Sequence, residues 1–197
     1  MPSRLRAGLA FGVVGGVGWF AADILRASAF SRDYGGAEYV LTNRLVGAAG
    51  LLVLLGAVAS VITIGGRLGR PGRLFGWIAV AGLAMLAAGS LAEFVFFIDD
   101  PSNLGPDGLA AQGWYTFVYG LLVTPVGLTG LGLQLWRSAA GAERLVAGWL
   151  VASFPLMIAA GFVLGLLGTT LAVGVSGLCL LLLSERRNAA QVRSSSP

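Results

Sequence analysis

The sequence contains no histidine, no lysine and a single cysteine, Cys179; its thirteen basic residues are all arginine. Each absence removes a class of chemistry. Without histidine there is no bis-histidine haem, no histidine-ligated zinc and no Ser–His or Cys–His nucleophile. Without lysine there is no Schiff base and no phosphate loop that closes on a lysine. One cysteine cannot cycle as a thiol–disulfide pair, and Cys179 lies among leucines as a small apolar residue. An enzyme built on this chain would have to work with Asp, Glu, Arg, Tyr, Ser or Thr. No cofactor and no metal site is expected. The acidic group Asp99, Asp100 and Asp107 does not have the spacing of a calcium loop and is read as a solvated loop.

Charge is also scarce. Only 11% of the 197 residues are charged and 56% are hydrophobic, with a mean hydropathy of +0.84. An ordinary soluble domain carries about 25% charged residues. A soluble globule of this length could not hide so much apolar surface, and intrinsic disorder is excluded for the same reason. A polytopic membrane protein remains. The isoelectric point near 10.0 is not a nucleic-acid signal. The arginines cluster at the ends of apolar runs, where membrane topology explains them, and no nucleic-acid partner is expected.

A spanning helix needs about 20 apolar residues. The uncharged runs are 7–22, 45–66, 74–92, 108–136 and 145–184. The last, at about 1.5 Å per residue, is roughly twice the thickness of a hydrocarbon core and must fold back. Gly161, Gly165 and Gly168 offer the turn. The expectation is an all-α transmembrane bundle of six helices, at about 5–26, 41–65, 74–97, 114–136, 145–165 and 167–184. The membrane domain then covers 1–187, and 188–197 is a disordered cytoplasmic tail.

Arginine placement sets the orientation. With the N-terminus inside, the inner segments carry ten arginines (Arg4, Arg6, Arg67, Arg70, Arg73, Arg137, Arg144, Arg186, Arg187 and Arg193) against Glu143 and Glu185. The outer side carries Arg26, Arg32 and Arg44 against seven acids. This positive-inside bias predicts both termini in the cytoplasm, and the lack of lysine with the excess of Arg, Ala and Gly points to a prokaryotic inner membrane. A rival reading takes Arg4, Arg6, the apolar stretch and Ala27-Ser28-Ala29 as a cleavable signal peptide. Against it, Gly8, Gly12 and Gly16 recur every four residues. That ridge suits close helix packing, including a homo-oligomer or a membrane partner.

An internal repeat is also suggested. Gly50-Leu51-Leu52-Val53 reappears as Gly120-Leu121-Leu122-Val123, Arg67 as Arg137, and Gly76-Trp77 as Gly148-Trp149. A hairpin of helices 2 and 3 would be echoed by helices 4 and 5, about an axis along the membrane normal.

Two groups of residues are candidates for function. Asp23, Arg44 and Glu93 each lie about 25–35 Å above the inner boundary, so they share a height near the outer edge of the core. Buried charges there must be paired or wet. One reading is an outward-facing polar pocket for an anionic or zwitterionic ligand, its mouth bounded by Trp19, Tyr115 and Tyr119. The other is a clamp, with Arg44 paired to Glu93 or Asp23. Pro125 and Pro155, each near the middle of its helix, are the hinge candidates. They free the carbonyls of Leu121 and Val151, which Thr124 and Ser153 could help to satisfy. The leading functional expectation is a non-enzymatic scaffold or partner-binding subunit. The alternatives are a small permease or solute-binding protein using the pocket, and a lipid-active enzyme using Asp23 and Glu93 as acid and base.

Overall fold

The computed structural model describes residues 2–29, 36–99, 101–103, 105–164, 166 and 168–194. These residues form helices and connecting turns, with no strand among them. The order is α1 (Ser3–Ala29), α2 (Ala37–Ile64), α3 (Gly69–Leu91), a π-helical segment (Ala92–Phe97), a 3₁₀ turn (Pro101–Asn103), α4 (Leu109–Trp136), α5 (Ala142–Val151), α6 (Ser153–Leu164) and α7 (Thr169–Ser194). Four helical stretches are long and apolar enough to cross a membrane: Ser3–Ala27, Ala37–Ile64, Gly69–Phe97 and Leu109–Trp136. The bent pair α5–α6 makes a fifth if it counts as one span, and Thr169–Glu185 is a shorter apolar helix. The chain is therefore an all-helical protein with the spans of a multi-pass membrane protein.

The six expected ranges each overlap observed helices; four to five of these are long and apolar enough to span, and three ranges differ in form. The expected helix 145–165 is two helices, meeting at Ala152 with a bend of 62°. Pro155 has no N–H for the carbonyl of Val151, and the chain turns there rather than at the proline ring itself. The helix expected to end at 184 continues as α7 to Ser194. Ala189, Ala190 and Gln191 are good helix formers, and extension of an existing helix is favourable. The helix expected to end at 97 leaves α-geometry at Ala92 and finishes as a π-helical turn. Of the expected connections, 30–35, Asp100 and Gly165 lie outside the described residues.

Small residues set the packing. Gly8 faces Ala59, Gly12 faces Gly56 and Cys179, and Gly15 lies against Leu52 and the Val53 backbone. Gly16 receives Ser176, whose Oγ donates to the Gly12 carbonyl at 2.9 Å. The glycine ridge of α1 is thus occupied by α2 and α7 of the same chain.

A second seam, spaced by seven, joins α3 to α4. Gly113, Gly120 and Gly127 on α4 run antiparallel to Gly82, Gly89, Ala79, Leu86 and Glu93 on α3 and its π-helical extension. A Cβ on Gly120 would sit 2.6 Å from the Leu86 nitrogen and 2.7 Å from the Gly82 oxygen. Only glycine lets two backbones approach so closely, and in lipid that proximity replaces the missing hydrophobic drive. The two proposed repeat hairpins differ in shape, since α2 and α3 run unbroken where the second hairpin breaks at Ala152.

At one end, Arg67 in the α2–α3 turn holds Glu143 at 2.9 Å and Glu185 at 3.4 Å. This joins the α2–α3 turn, the start of α5 and the lower part of α7. The cluster containing Asp23, Arg44 and Glu93 lies at the opposite end.

Candidate functional site

The apolar stretch of α7 covers only 17 residues, Thr169–Glu185. A helix that starts inside the bundle has free N–H groups in its first turn, and water cannot reach them. Asp23 of α1 meets that need. Its Oδ2 accepts from the Thr169 backbone N–H at 3.1 Å and from Thr169 Oγ1 at 2.7 Å. Asp23 thus acts as an N-terminal cap supplied by another helix, and its charge complements the positive end of the α7 dipole. It is fully buried. Arg26, one turn further along α1, places Nη2 2.8 Å from Asp23 Oδ1. That ion pair is also buried, so the carboxylate has the partner that a charge inside the membrane requires.

Trp19 lies one turn earlier on α1 and is 1% exposed. Its indole covers Gly168, and its far edge touches the Gly50 position on α2. Any side chain at 168 would collide with the ring. Trp19 is therefore part of the seat for the start of α7, not the rim of an open mouth.

Arg44 sits on α2 with its side chain partly exposed. Its Nε donates to the Phe94 carbonyl at 2.6 Å, and its Nη2 pairs with Asp99 at 3.1 Å. The first contact explains the residue. A π-helical turn disturbs the regular i→i−4 ladder, and Arg44 supplies a donor to a carbonyl within it. The Asp99 pair adds little, because Asp99 is largely in solvent. The Arg44–Glu93 and Arg44–Asp23 pairings expected from height do not form. Helical rise gives depth, whereas pairing also depends on the rotation of each helix about its axis.

Glu93 lies within the π-helical segment at 2% exposure, with its backbone against Gly113 of α4. Tyr39, at the start of α2, is buried within electrostatic reach of both Glu93 and Arg26. Its ring packs edge-on to Phe94 at 5.7 Å. Ser90 donates to the Asn43 carbonyl at 3.2 Å. Arg26, Tyr39, Asn43 and Ser90 join the expected trio, so α1, α2, α3 and α7 meet in one buried polar layer. A sequence signal for Arg26 existed: it lies three residues after Asp23, a spacing that pairs side chains on a helix.

Tyr115 and Tyr119 are 53% and 59% exposed on the outward face of α4. They do not bound the polar layer; Gly113 and Phe117 are the residues of that helix end that face α3.

The two prolines behave differently. Pro125 is buried within an α4 that continues to Trp136. Thr124 Oγ1 donates to its own helix at the Gly120 carbonyl, 2.7 Å away, and not to the freed Leu121 carbonyl. Pro155 follows the break at Ala152. The Val151 carbonyl it frees accepts from Thr129 Oγ1 of α4 at 3.3 Å. Ser153, expected to help there, is fully buried, and its Oγ has no hydrogen-bond partner among the described residues.

Among the described residues, no group of three or more Cys, Asp or Glu side chains could hold a metal ion. What the layer does chemically is cap a helix end, hold a π-turn carbonyl and neutralise buried charge. The fold and this layer define an all-helical membrane protein tied together by charge at its far end. Compared with protein-family models, curated proteins and solved structures, the chain matches none.

Proposed function

We propose that this chain is a non-enzymatic polytopic protein of a prokaryotic cytoplasmic membrane, acting as a scaffold or partner-binding subunit. The observation that carries this reading is the use made of Asp23. The most buried charge among the described residues closes the end of α7 and pairs with Arg26, which are structural tasks. Arg44 is likewise engaged by the Phe94 carbonyl and Asp99. In this reading six segments cross the bilayer with both termini inside. The meeting of Arg67 with Glu143 and Glu185 is in keeping with that arrangement of spans, because it gathers three segments assigned to one side. A partner or a second copy would meet the outward face of α1, where Val14, Val17, Phe20 and Ile24 are exposed, since the glycine ridge is filled from within.

Glu93→Gln tests the reading. A structural role for Glu93 in the buried layer predicts a lower unfolding temperature for the purified variant, with no solute that protects the parent protein. A ligand site predicts an apo variant as stable as the parent, and loss of protection by an anionic or zwitterionic solute. The second result would overturn the scaffold reading.

One observation favours a small permease as the second reading. A broken span with a borrowed hydrogen bond, Thr129 to Val151, is the kind of element on which transporters build central sites. The buried, unpartnered hydroxyl of Ser153 lies directly after the break. Solute uptake into vesicles that fails in Ser153→Ala would favour it.

A further inference from the structure

The end of the bundle that holds Arg67 is unbalanced in charge. Its two acids, Glu143 and Glu185, both bind Arg67. Around that triad stand Arg4, Arg6, Arg70, Arg73, Arg137 and Arg144, all exposed and none in an ion pair among the described residues. Most of these are explained by topology alone. The α4–α5 turn is different, because there the charge is joined to an apolar surface.

Five residues, 137–141, connect the two helices, and Gly141 turns the chain with φ +53°. Arg137 ends α4 and Arg144 lies in the first turn of α5, so the turn keeps the two at neighbouring helix ends. The Arg144 guanidinium lies over the Trp136 ring, 5.8 Å from its centroid. That stacking orders a long side chain without neutralising it. Trp136 in turn packs on Gly148 of α5, which fixes the platform across both helices. Beside the arginines, Leu133, Trp136 and Leu145 are 49%, 46% and 78% exposed. Two uncompensated guanidinium groups thus border an apolar strip that runs into the hydrocarbon region.

A ligand matching both halves carries an anionic group and an acyl chain, and the lipid headgroup anion available at a membrane surface is a phosphate. From this we infer that the α4–α5 turn is a binding site for an anionic phospholipid, its headgroup phosphate between Arg137 and Arg144 and its chains along Leu133 and Leu145. Arginine suits the phosphate because its planar fork donates in pairs, and basic clusters at helix ends are where anionic headgroups bind. The inference needs only a membrane-embedded chain and does not depend on the scaffold reading.

The test uses the full chain in neutral detergent. Phosphatidylglycerol or phosphatidylcholine is titrated in, and bound lipid is counted by native mass spectrometry. The parent protein should prefer phosphatidylglycerol. The double variant Arg137→Gln, Arg144→Gln should bind it about thirty-fold more weakly, the loss expected for two surface arginines. Its unfolding temperature without added lipid should match the parent's. The control Arg4→Gln, Arg6→Gln removes the same charge from the same end and should leave the affinity within about threefold. Equal losses in both variants would overturn the site in favour of diffuse charge. No preference for phosphatidylglycerol would overturn it as well. Displacement of the lipid by inorganic phosphate alone would show a free-anion site, and binding of a polyglutamate peptide in place of lipid would show a protein-docking surface; either overturns the proposal.

Discussion

Asp23 ties α1 to the start of α7 and pairs with Arg26. It has two tasks that substitution can separate. Asparagine keeps an oxygen for the Thr169 N–H but removes the negative charge facing Arg26. Alanine removes both. We expect Asp23→Asn to lower stability by about 3–5 kcal/mol, since removing one charge of a buried pair leaves the other behind in an apolar site, and Asp23→Ala by about 1–2 kcal/mol more, for the lost cap. Denaturant unfolding in micelles would read the order. Equal effects would mean that the cap contributes nothing beyond the ion pair. The height of Asp23 is legible in the sequence, from the helical rise above Arg6. Its partners are not. The Thr169 N–H is a backbone group 146 residues away, and nothing in side-chain chemistry announces which helix end will need an anion. The same limit applies to Arg44: its height suggests a charged partner, and the partner its Nε finds is the Phe94 carbonyl.

At the scale of elements, apolar run length and arginine spacing place a helix over each expected range but not its ends or its breaks. The departures occur where the regular ladder is interrupted. Pro155 is visible as a breaker, and the freed Val151 carbonyl follows from its geometry. That Thr129 would supply the donor, reaching from a different helix, depends on how α4 and α5 pack. A double-mutant cycle isolates this bond. Thr129→Val alone should cost about 0.5–1.5 kcal/mol. In a Pro155→Ala background residue 155 regains its N–H and can serve Val151 within the helix, so the same substitution should cost close to nothing. Additive effects would show that the hydroxyl does not serve that carbonyl. The π-helical end of α3 and the seven-residue seam of α3 and α4 are not legible. In the sequence the seam glycines are masked by 31 glycines in all, many of them close-packed for other reasons.

For the whole molecule, composition alone assigns the class, because 11% charge in 197 residues leaves no soluble alternative. The ion pairs divide between two ends, with Asp23–Arg26 and Arg44–Asp99 at one and the Arg67 triad at the other. This division leads to a topological prediction. In a Cys179→Ala background, single cysteines at Ser102 and Asp107 should react with a membrane-impermeant maleimide in intact cells. Cysteines at Arg70 and Gly141 should react only after the membrane is opened. The reverse pattern would invert the orientation proposed above, and labelling of all four in intact cells would rule out a membrane-spanning arrangement of the intervening helices.

The cap across α1 and α7 also bears on how the protein is made. The anion that caps α7 is synthesised with α1, well before α7 itself, and the groove for α7, lined by Gly12, Gly16 and Trp19, is complete only once α1 and α2 have paired. A nascent chain stopped before α7 would hold a buried-type carboxylate and a glycine-lined furrow open to lipid. Docking of α7 on α1 therefore closes the furrow and covers the carboxylate in one step.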